Sequence, residues 1–599
     1  MDKQGHVVHK AICEAFKDVP NAIGAANRLP PEVLLALSKK GYQTCDSFRY
    51  ATRQGLREAG IEPGHTDTIL GLQAVQVAHE REMAGPGPSS TGAGEYAQYL
   101  LNLPAPSKLQ PTNLLLPDGS AMLQNWRLPG PQCGIPPQLQ HPAFGVFLDW
   151  LHKCKPNQDD MEAAACLCGV AASYYSKEEE LRQLLVPKLR DYLSVGDQHD
   201  TLPQFSVRAE DKSHLKPDWC VVDNVNRPTG LLVILEFKNG LTGGDPSLQG
   251  FGYYSKFWAS RLVDTTGKYS DLHNAFRRTC CPALLIEVLG PLLRVSSLAW
   301  LGRIVLYPMT PLLNMLWLED DPQVLQLACA LRGVKESLRC LRDCYSGLRP
   351  PAAPLQARLS GLEAGLPYPL RERYVDVEQV QAGTLLYKAT RANGVQVAVK
   401  LSRHYCVEAH QKWAGLKLAP ALYEAEQLPG GYQLLEMELL GEGWQSLDAL
   451  ARVDVAAGNS AMAAALQALQ RAHAHAHDDS GRPFVHGDAR PTNIMVRRAP
   501  RGGGAPGSGG VEAGSGGVET GSGGVEAGSG GVEAGSGGVS FDICFVDFDF
   551  SGLEGVGTYP SPLNPVVPWA PDAGFGLPLH RSHDEFQLQQ RASPGAGAK

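Results

Sequence analysis

Residues 507 to 539 repeat Gly-Ser-Gly-Gly-Val-Glu-Ala almost without change, and no such sequence builds a core. Its glycines lose the most backbone entropy on ordering, and its side chains return little apolar burial. The block therefore hangs from the surface of whatever folds around it, as an insertion in a turn. Its flanks are of the opposite kind. Ile494-Met495-Val496 precedes it and Cys544-Phe545-Val546 follows it, short apolar runs of the type that buried strands use. Long flexible insertions add little to the entropy of loop closure, so a hairpin interrupted in this way still forms.

Immediately before this hairpin stands His486-Gly487-Asp488-Ala489-Arg490-Pro491-Thr492-Asn493, entered from the apolar Pro483-Phe484-Val485. An Asp in a short loop, followed five residues later by an Asn, is the arrangement that phosphoryl transfer uses. The Asp accepts the proton of an incoming hydroxyl and the Asn holds a metal ion. Asp547-Phe548-Asp549 ends the strand after the repeat and supplies a second metal-binding aspartate. Asp547 stands 59 positions beyond Asp488, too far for the hairpin that should bring both to one metal. Discounting 498–538 leaves about twenty residues, the separation such a hairpin needs.

At 599 residues the chain exceeds one core, and two or three globular units joined by linkers are expected. Its net charge of -8 gives no chain-wide footprint for nucleic acid, so such a partner needs a local patch. Fourteen cysteines without a CxxC indicate neither a zinc ribbon nor a disulfide framework. Met1 to His6 lack the apolar core of a signal peptide, which with unpaired cysteines points to an intracellular place, cytoplasmic or nuclear. The most apolar region, 282–318, is interrupted by Glu287, Pro291, Arg294, Arg303 and Pro308. It reads as buried strands and short helices, and no membrane partner is expected.

Residues 1–83 are predicted as a small helical bundle, from Val33, Leu34, Leu37, Phe48, Leu56, Ile61, Ile69 and Leu70. The Pro- and Gly-rich residues 84–159 are expected to form a linker. In the next unit, 160–348, Leu181, Leu184, Leu185, Leu189 and Leu193 repeat at helical spacing behind Glu178-Glu179-Glu180, acids that suit a helix N-terminal turn. Asp218 to Asp223 and Leu231 to Lys238 then read as paired strands. With the turn tip near Arg227, Asp218 and Glu236 fall opposite one another and Lys238 shares the face of Glu236. Two carboxylates and an amine gathered there suggest a divalent metal that polarises a phosphodiester and activates a water. A solvated, salt-bridged face is the alternative. A long amphipathic helix is predicted from Asp320 to Leu348, followed by a Pro-rich linker at 349–370.

In the third unit, 371–580, strands are predicted at 385–389 and 395–401 around a turn at Ala392-Asn393-Gly394. Leu434 to Leu440 reads as the last strand of a small lobe running into a hinge. Residues 460–477 are predicted as an alanine-rich helix ending in His473, His475 and His477. Alternate positions on a helix do not share a face, so a solvated helix end is expected there and no metal site. Residues 581–599 are expected to be a disordered tail.

Several of these stretches carry resemblances. Leu56 to His65 resembles the end of a sterile-alpha-motif domain, which implies protein association, including self-association; an ordinary bundle without a partner stays open. Pro217-Asp218 followed by Glu236-x-Lys238 resembles the PD-(D/E)xK nuclease superfamily, and Gln249-Gly250-Phe251-Gly252-Tyr253 looks like the Gln-x-x-x-Tyr element of some members. Val397-Ala398-Val399-Lys400 resembles the third-strand signature of protein kinases. The order Lys400, Glu408, His486-Gly487-Asp488, Asn493, Asp547 is similar to the protein-kinase-like superfamily. The two together resemble Crinkler-type proteins of algae and fungi.

The resemblance implies a multidomain α+β chain. A small helical bundle would precede an α/β, restriction-endonuclease-like domain and a bilobal protein-kinase-like domain carrying the low-complexity insertion. It implies transfer of phosphate from ATP, with Mg2+, to a Ser/Thr or other hydroxyl of a protein substrate. Asp488 would be the base, Lys400, Glu408, Met437 and Glu438 would serve the nucleotide, and Asn493 and Asp547 the metal. Alternatively Asp218, Glu236, Lys238 and Gln249 would be the catalytic residues of a metal-dependent nuclease with nucleic acid as partner, and the kinase fold its regulator or a pseudokinase.

Four departures bear on this. Only Gly383 stands where a phosphate-binding glycine loop is expected, Gly487 replaces the usual Arg, and Asp549 replaces the usual Gly. With 52 residues after Asp547 and no Ala-Pro-Glu, the peptide platform is expected to be incomplete.

Overall fold

The computed structural model describes residues 3–15, parts of 29–72, 90–116, 121–124, 135–193, 207–208, 214–215, 217–223, 228–238, 245–316, 321–348, 365–499 apart from 382, and 540–589 apart from 561, 562 and 566. The repeat at 507–539, the turn tip at Arg227 and the chain from 590 onward lie outside the described residues. The protein is of mixed α and β structure, in two compact units, Met1–Ala93 and Gly94–Lys599. Among the described residues no helix is long and apolar enough to cross a membrane.

The first unit is helical, with α1 (Lys3–Ala15), α2 (Pro31–Lys39) and α3 (Arg53–Glu58). Pro31 opens α2, a position where the missing N–H has no helical partner to lose. Leu34 and Leu37 pack with Val8, Ile12, Phe48, Leu56, Ile61, Ile69 and Leu72 in one apolar cluster.

The first half of the second unit surrounds a mixed sheet. Its strands are β1 (Leu123–Gln124), β2 (Trp219–Val222), β3 (Leu231–Lys238), β4 (Ala283–Leu289), β5 (Leu292–Leu301), β6 (Arg303–Pro308) and β7 (Leu313–Asn314). They lie in the order β1-β6-β5-β4-β3-β2, with β7 on β5. β2 and β3 are antiparallel, whereas β3 and β4 are parallel. A parallel pair needs a long crossover, and α9 (Pro246–Val263) supplies it. β3 is buried at all eight positions, as a strand covered on both faces should be.

Other helices include α4 (Ser90–Leu101), α5 (Pro137–Gln140), α6 (Pro142–Lys153), α7 (Gln158–Ala171), α8 (Glu178–Leu193) and α10 (Asp321–Ser346). Much of the expected 84–159 linker is thus folded, with Tyr96, Leu100, Phe144 and Phe147 in the core. Its prolines mislead as composition: Pro137 and Pro142 occupy first helical turns and start helices.

The second half begins with α11 (Tyr368–Arg373), inside the end of the expected 349–370 linker. Strands β8 (Tyr374–Gln379), β9 (Leu386–Arg391), β10 (Gln396–Ser402), β11 (Leu422–Gln427) and β12 (Gln433–Glu438) form an antiparallel sheet in the order β8-β9-β10-β12-β11. One helix, α12 (Val407–Gly415), lies between β10 and β11 in sequence. The chain continues with β13 (Gln445–Ser446), α13 (Leu447–Val453), α14 (Val455–His475), β14 (Phe484–Val485), β15 (Ile494–Arg498), β16 (Phe541–Phe545), β17 (Gly552–Leu553) and α15 (Arg581–Gln589). β15 pairs with β16 out to Arg498 opposite Phe541, and the Ala499 N–H donates to Ser540 O at 3.0 Å. The interrupted hairpin therefore closes on both sides of the repeat.

Two expectations are corrected in this part of the chain. Residues 581–589 form α15, with Asp584, Gln587 and Leu588 buried. They are not a tail: the local composition is polar, which suggests one, but the helix is buried through contacts that come from far away in sequence. His473 is likewise buried and bonded, not a solvated helix end.

The two halves are joined. Leu139 of α5 enters the core of the five-stranded sheet beside Leu370, Tyr374 and Val399. Gly430, in the β11–β12 turn, donates its N–H to Asp149 of α6 at 2.7 Å, and Arg371 donates to Gln140 O at 3.1 Å. Gly145 is required at this joint, since a Cβ there would lie 2.4 Å from Pro429 O.

Candidate active site

The Asp488 loop starts where β14 ends and returns into β15 through a single 3-10 turn, Pro491–Asn493. Its backbone is held from α15. Asp584, fully buried, accepts from the N–H of His486 at 2.9 Å and of Gly487 at 2.8 Å, and His473 Nε2 lies 3.0 Å from the same carboxylate. Gly487 has φ +78°, and a Cβ on it would meet Phe550 O at 2.3 Å. Glycine at this position thus has a physical reason: the chain after Asp547 passes directly over it. Ser551 Oγ ties that crossing down by donating to His486 O at 2.8 Å.

Asp488 is 2 % exposed. Arg490 grips it with both arms, Nε to Oδ1 at 2.5 Å and Nη2 to Oδ2 at 2.7 Å, and Asn493 Nδ2 donates to Oδ2 at 2.9 Å. Burial raises the Asp488 carboxyl above its ordinary range, with Arg490 pulling the other way. With its N–H2 group turned to Asp488, Asn493 keeps its amide oxygen for another partner.

Asp547 reaches the same place from the end of β16, with φ +72°, a left-handed conformation that a non-glycine residue rarely adopts. Lys400 comes from β10 and meets it Nζ to Oδ1 at 2.5 Å, and meets Asp549 Oδ2 at 2.9 Å. Burial disfavours the Lys400 charge, but the two carboxylates outweigh it and raise its pKa. Burial also opposes ionisation of Asp547, yet Lys400 draws its pKa below the usual value. Asp549, where burial dominates, is pushed up to about 6.

Glu408 does not join this site. The helix α12 buries Ala409, His410 and Trp413, a choice of face that leaves Glu408 exposed. The expected Lys400–Glu408 pair is replaced by Lys400 with Asp547 and Asp549. His410 instead stacks on Phe548 with centroids 4.7 Å apart and planes at 6°. It is fixed there by Tyr405 Oη and Pro420 O, each 2.8 Å away. Met437 is buried, paired across to Ala398 on β10 and to Leu422 on β11. Exposed Glu438 is held through its N–H to Ala421 O at 2.8 Å.

A second cluster lies on the β2–β3 pair. Trp219 pairs with Leu235, which sets Asp218 opposite Glu236. Asp218 Oδ2 accepts from the Phe237 N–H at 2.8 Å and Oδ1 from Arg182 Nη1 at 3.2 Å. Glu236 is 2 % exposed and its Oε1 has no hydrogen-bond partner. Burial, then the Asp218 charge, holds its carboxyl well above the usual range. Lys238 Nζ donates to Phe237 O at 2.6 Å and lies 3.7 Å from Glu178 Oε2, at the start of α8. Gln249 is half-buried in the first turn of α9, one turn before Tyr253, whose phenol feels the Glu236 and Asp218 charges.

Four residues of these clusters escape the sequence reading. Arg490 lies inside the motif without an assigned role. Glu178 is hidden in an acidic run explained by the helix dipole, and Asp584 and His473 meet across 111 positions, a contact no local pattern signals. Among the described residues no three His, Cys, Asp or Glu side chains form a ready-made metal cage. The unpartnered oxygens are nevertheless of the right kind for a hard divalent cation: Glu236 Oε1 in one cluster and Asp549 Oδ1 in the other. No protein-family model matches the chain, and no curated protein matches it.

Proposed function

We propose that residues 371–589 work as a protein-kinase-like phosphotransferase, moving the γ-phosphate of ATP to a hydroxyl. The observation that carries this reading is the meeting of Lys400 with Asp547 across 147 positions, next to a buried Asp488–Asn493 pair. The five-stranded antiparallel sheet with a single helix, followed by a second lobe, supports it as the arrangement the family resemblance leads one to expect.

In this reading Asp488 accepts the hydroxyl proton, and its raised pKa suits a base. Arg490 grips Asp488 through a planar fork that fits a phosphate equally well, so a phosphate could draw that fork away and release the carboxylate. Lys400 holds phosphate oxygens, and Met437 beside Ala398 lines the place of the adenine. Asn493 and Asp547 are the residues that would hold magnesium, which when bound neutralises charge on the transferring group. With labelled ATP and magnesium, the full chain should transfer phosphate to itself or to a broad substrate set. Asp488→Asn should lower that rate about 10²- to 10⁴-fold; an unchanged rate overturns the reading.

A second reading is favoured by one observation, the buried and unpartnered Glu236 Oε1 facing Asp218. Asp218 and Glu236 would hold a divalent metal and Lys238 would meet a phosphodiester or water, making 160–348 a nuclease-like site. Cleavage of plasmid or single-stranded DNA with magnesium or manganese, absent in Glu236→Ala, is its test.

A further inference from the structure

Lys400 lies near the end of β10 with its side chain 14 % exposed and two carboxylates on it. Both come from one segment of three residues, Asp547-Phe548-Asp549. The residue between them is fully buried and seals the segment against α12 by stacking on His410. The Cys406 N–H, just before α12, also donates to Phe548 O at 3.1 Å. The acidic residue of α12, Glu408, faces solvent. Asp549 Oδ2 takes the lysine while its Oδ1 is buried without a hydrogen bond; the Ser402 side chain also bonds this carboxylate, and Lys400 is its ion-pair partner.

We propose that Asp549 is the positioning residue for Lys400, performing from the Asp547 segment the task that a helix glutamate would otherwise perform from α12. The exchange matters for regulation. A lysine anchored on a mobile helix can be released by moving that helix. Here the lysine anchor, the metal-site aspartate and the Phe548 plug are covalently continuous, and the segment is pinned again at Ser551 to His486 O. The site therefore stays assembled without a helix movement, in keeping with Gly487 standing where an activation-loop relay would need an arginine. The nucleotide part of this inference rests on the phosphotransferase reading, whereas the lysine anchor does not.

The test uses the full chain in two arms. The first is a double-mutant cycle on the thermal midpoint without nucleotide, using Asp549→Asn and Lys400→Met. Residues that interact give non-additive changes, expected here as a departure from additivity of about 2 °C or more. Glu408→Gln combined with Lys400→Met should be additive. The second arm measures Mg-ATP affinity. Asp549→Asn should weaken it about tenfold and Asp549→Glu should recover most of the loss, while Glu408→Gln changes it less than about twofold. Additive Asp549 and Lys400 effects overturn the anchor whatever the nucleotide arm shows. Coupled effects in a wild-type chain that binds no Mg-ATP leave the anchor standing and overturn the phosphotransferase reading, and with it the positioning role.

Discussion

Replacing Gly487 by alanine tests whether the chain after Asp547 presses on the Asp488 loop. Two costs are readable. At φ +78° an alanine gives up about 1–2 kcal/mol relative to its preferred region. The new methyl would also lie 2.3 Å from Phe550 O and 2.9 Å from Phe550 C, backbone atoms that move only together with the segment. Overpacking of this kind adds about 1–3 kcal/mol. Gly481 isolates the first cost, because it has φ +80° and a Cβ on it would meet nothing within 4 Å. Gly487→Ala should therefore fall below Gly481→Ala by about 1–3 kcal/mol, or roughly 2–10 °C in thermal midpoint. Tryptophan fluorescence is a suitable readout, since the Trp413 and His486 rings lie 5.6 Å apart. Displacing Phe550 also strains the Ser551–His486 bond, and an error of about 1 Å in the Asp488 loop should lower phosphate transfer about 10²-fold. Equal midpoints for the two alanine variants would refute the claim that Phe550 excludes a side chain at 487.

Other consequences follow from the same contacts. Asp584→Ala leaves the N–H groups of His486 and Gly487 buried without their acceptor, so it should cost about 3–5 kcal/mol of stability in unfolding experiments. Asp584→Asn, which keeps one carbonyl oxygen, should cost less. Glu236 has its folded-state pKa raised by burial and by Asp218, so its neutral form is the one the fold favours. That stability is fully present below about pH 4.5 and is lost as pH rises through the folded-state value. In chelator, Glu236→Gln should accordingly raise the thermal midpoint near pH 8 more than near pH 4.5, while abolishing any metal-dependent DNA cleavage. Removing the joint contact with Asp149→Ala frees the N–H of Gly430, and amide hydrogen exchange at Gly430 should quicken relative to wild type.

The parts legible in sequence were those governed by local pattern. Reading the apolar runs 218–223 and 231–238 as paired strands placed Asp218 opposite Glu236, which is the register the strands have, and discounting the repeat exposed the hairpin that brings Asp547 back to Asp488. Failures came where a helix had to choose a face or a contact spanned distance. Glu408 is well placed by order alone, but Ala409, His410 and Trp413 claim the buried side of α12. Pro137 and Pro142 signal a linker by composition and start helices in fact. Asp584 carries no local mark of its task, since its three contacts lie 97 to 111 positions away.

The most direct test of the central claim is the thermal midpoint of the full chain with and without ATP and magnesium, in wild type and in Lys400→Met. A nucleotide at about one hundred times its dissociation constant stabilises the folded form by about 2.7 kcal/mol. If Lys400 holds the phosphates, the wild-type midpoint rises by several degrees and the rise disappears in Lys400→Met. No shift at millimolar Mg-ATP, or the same shift in both proteins, would contradict it.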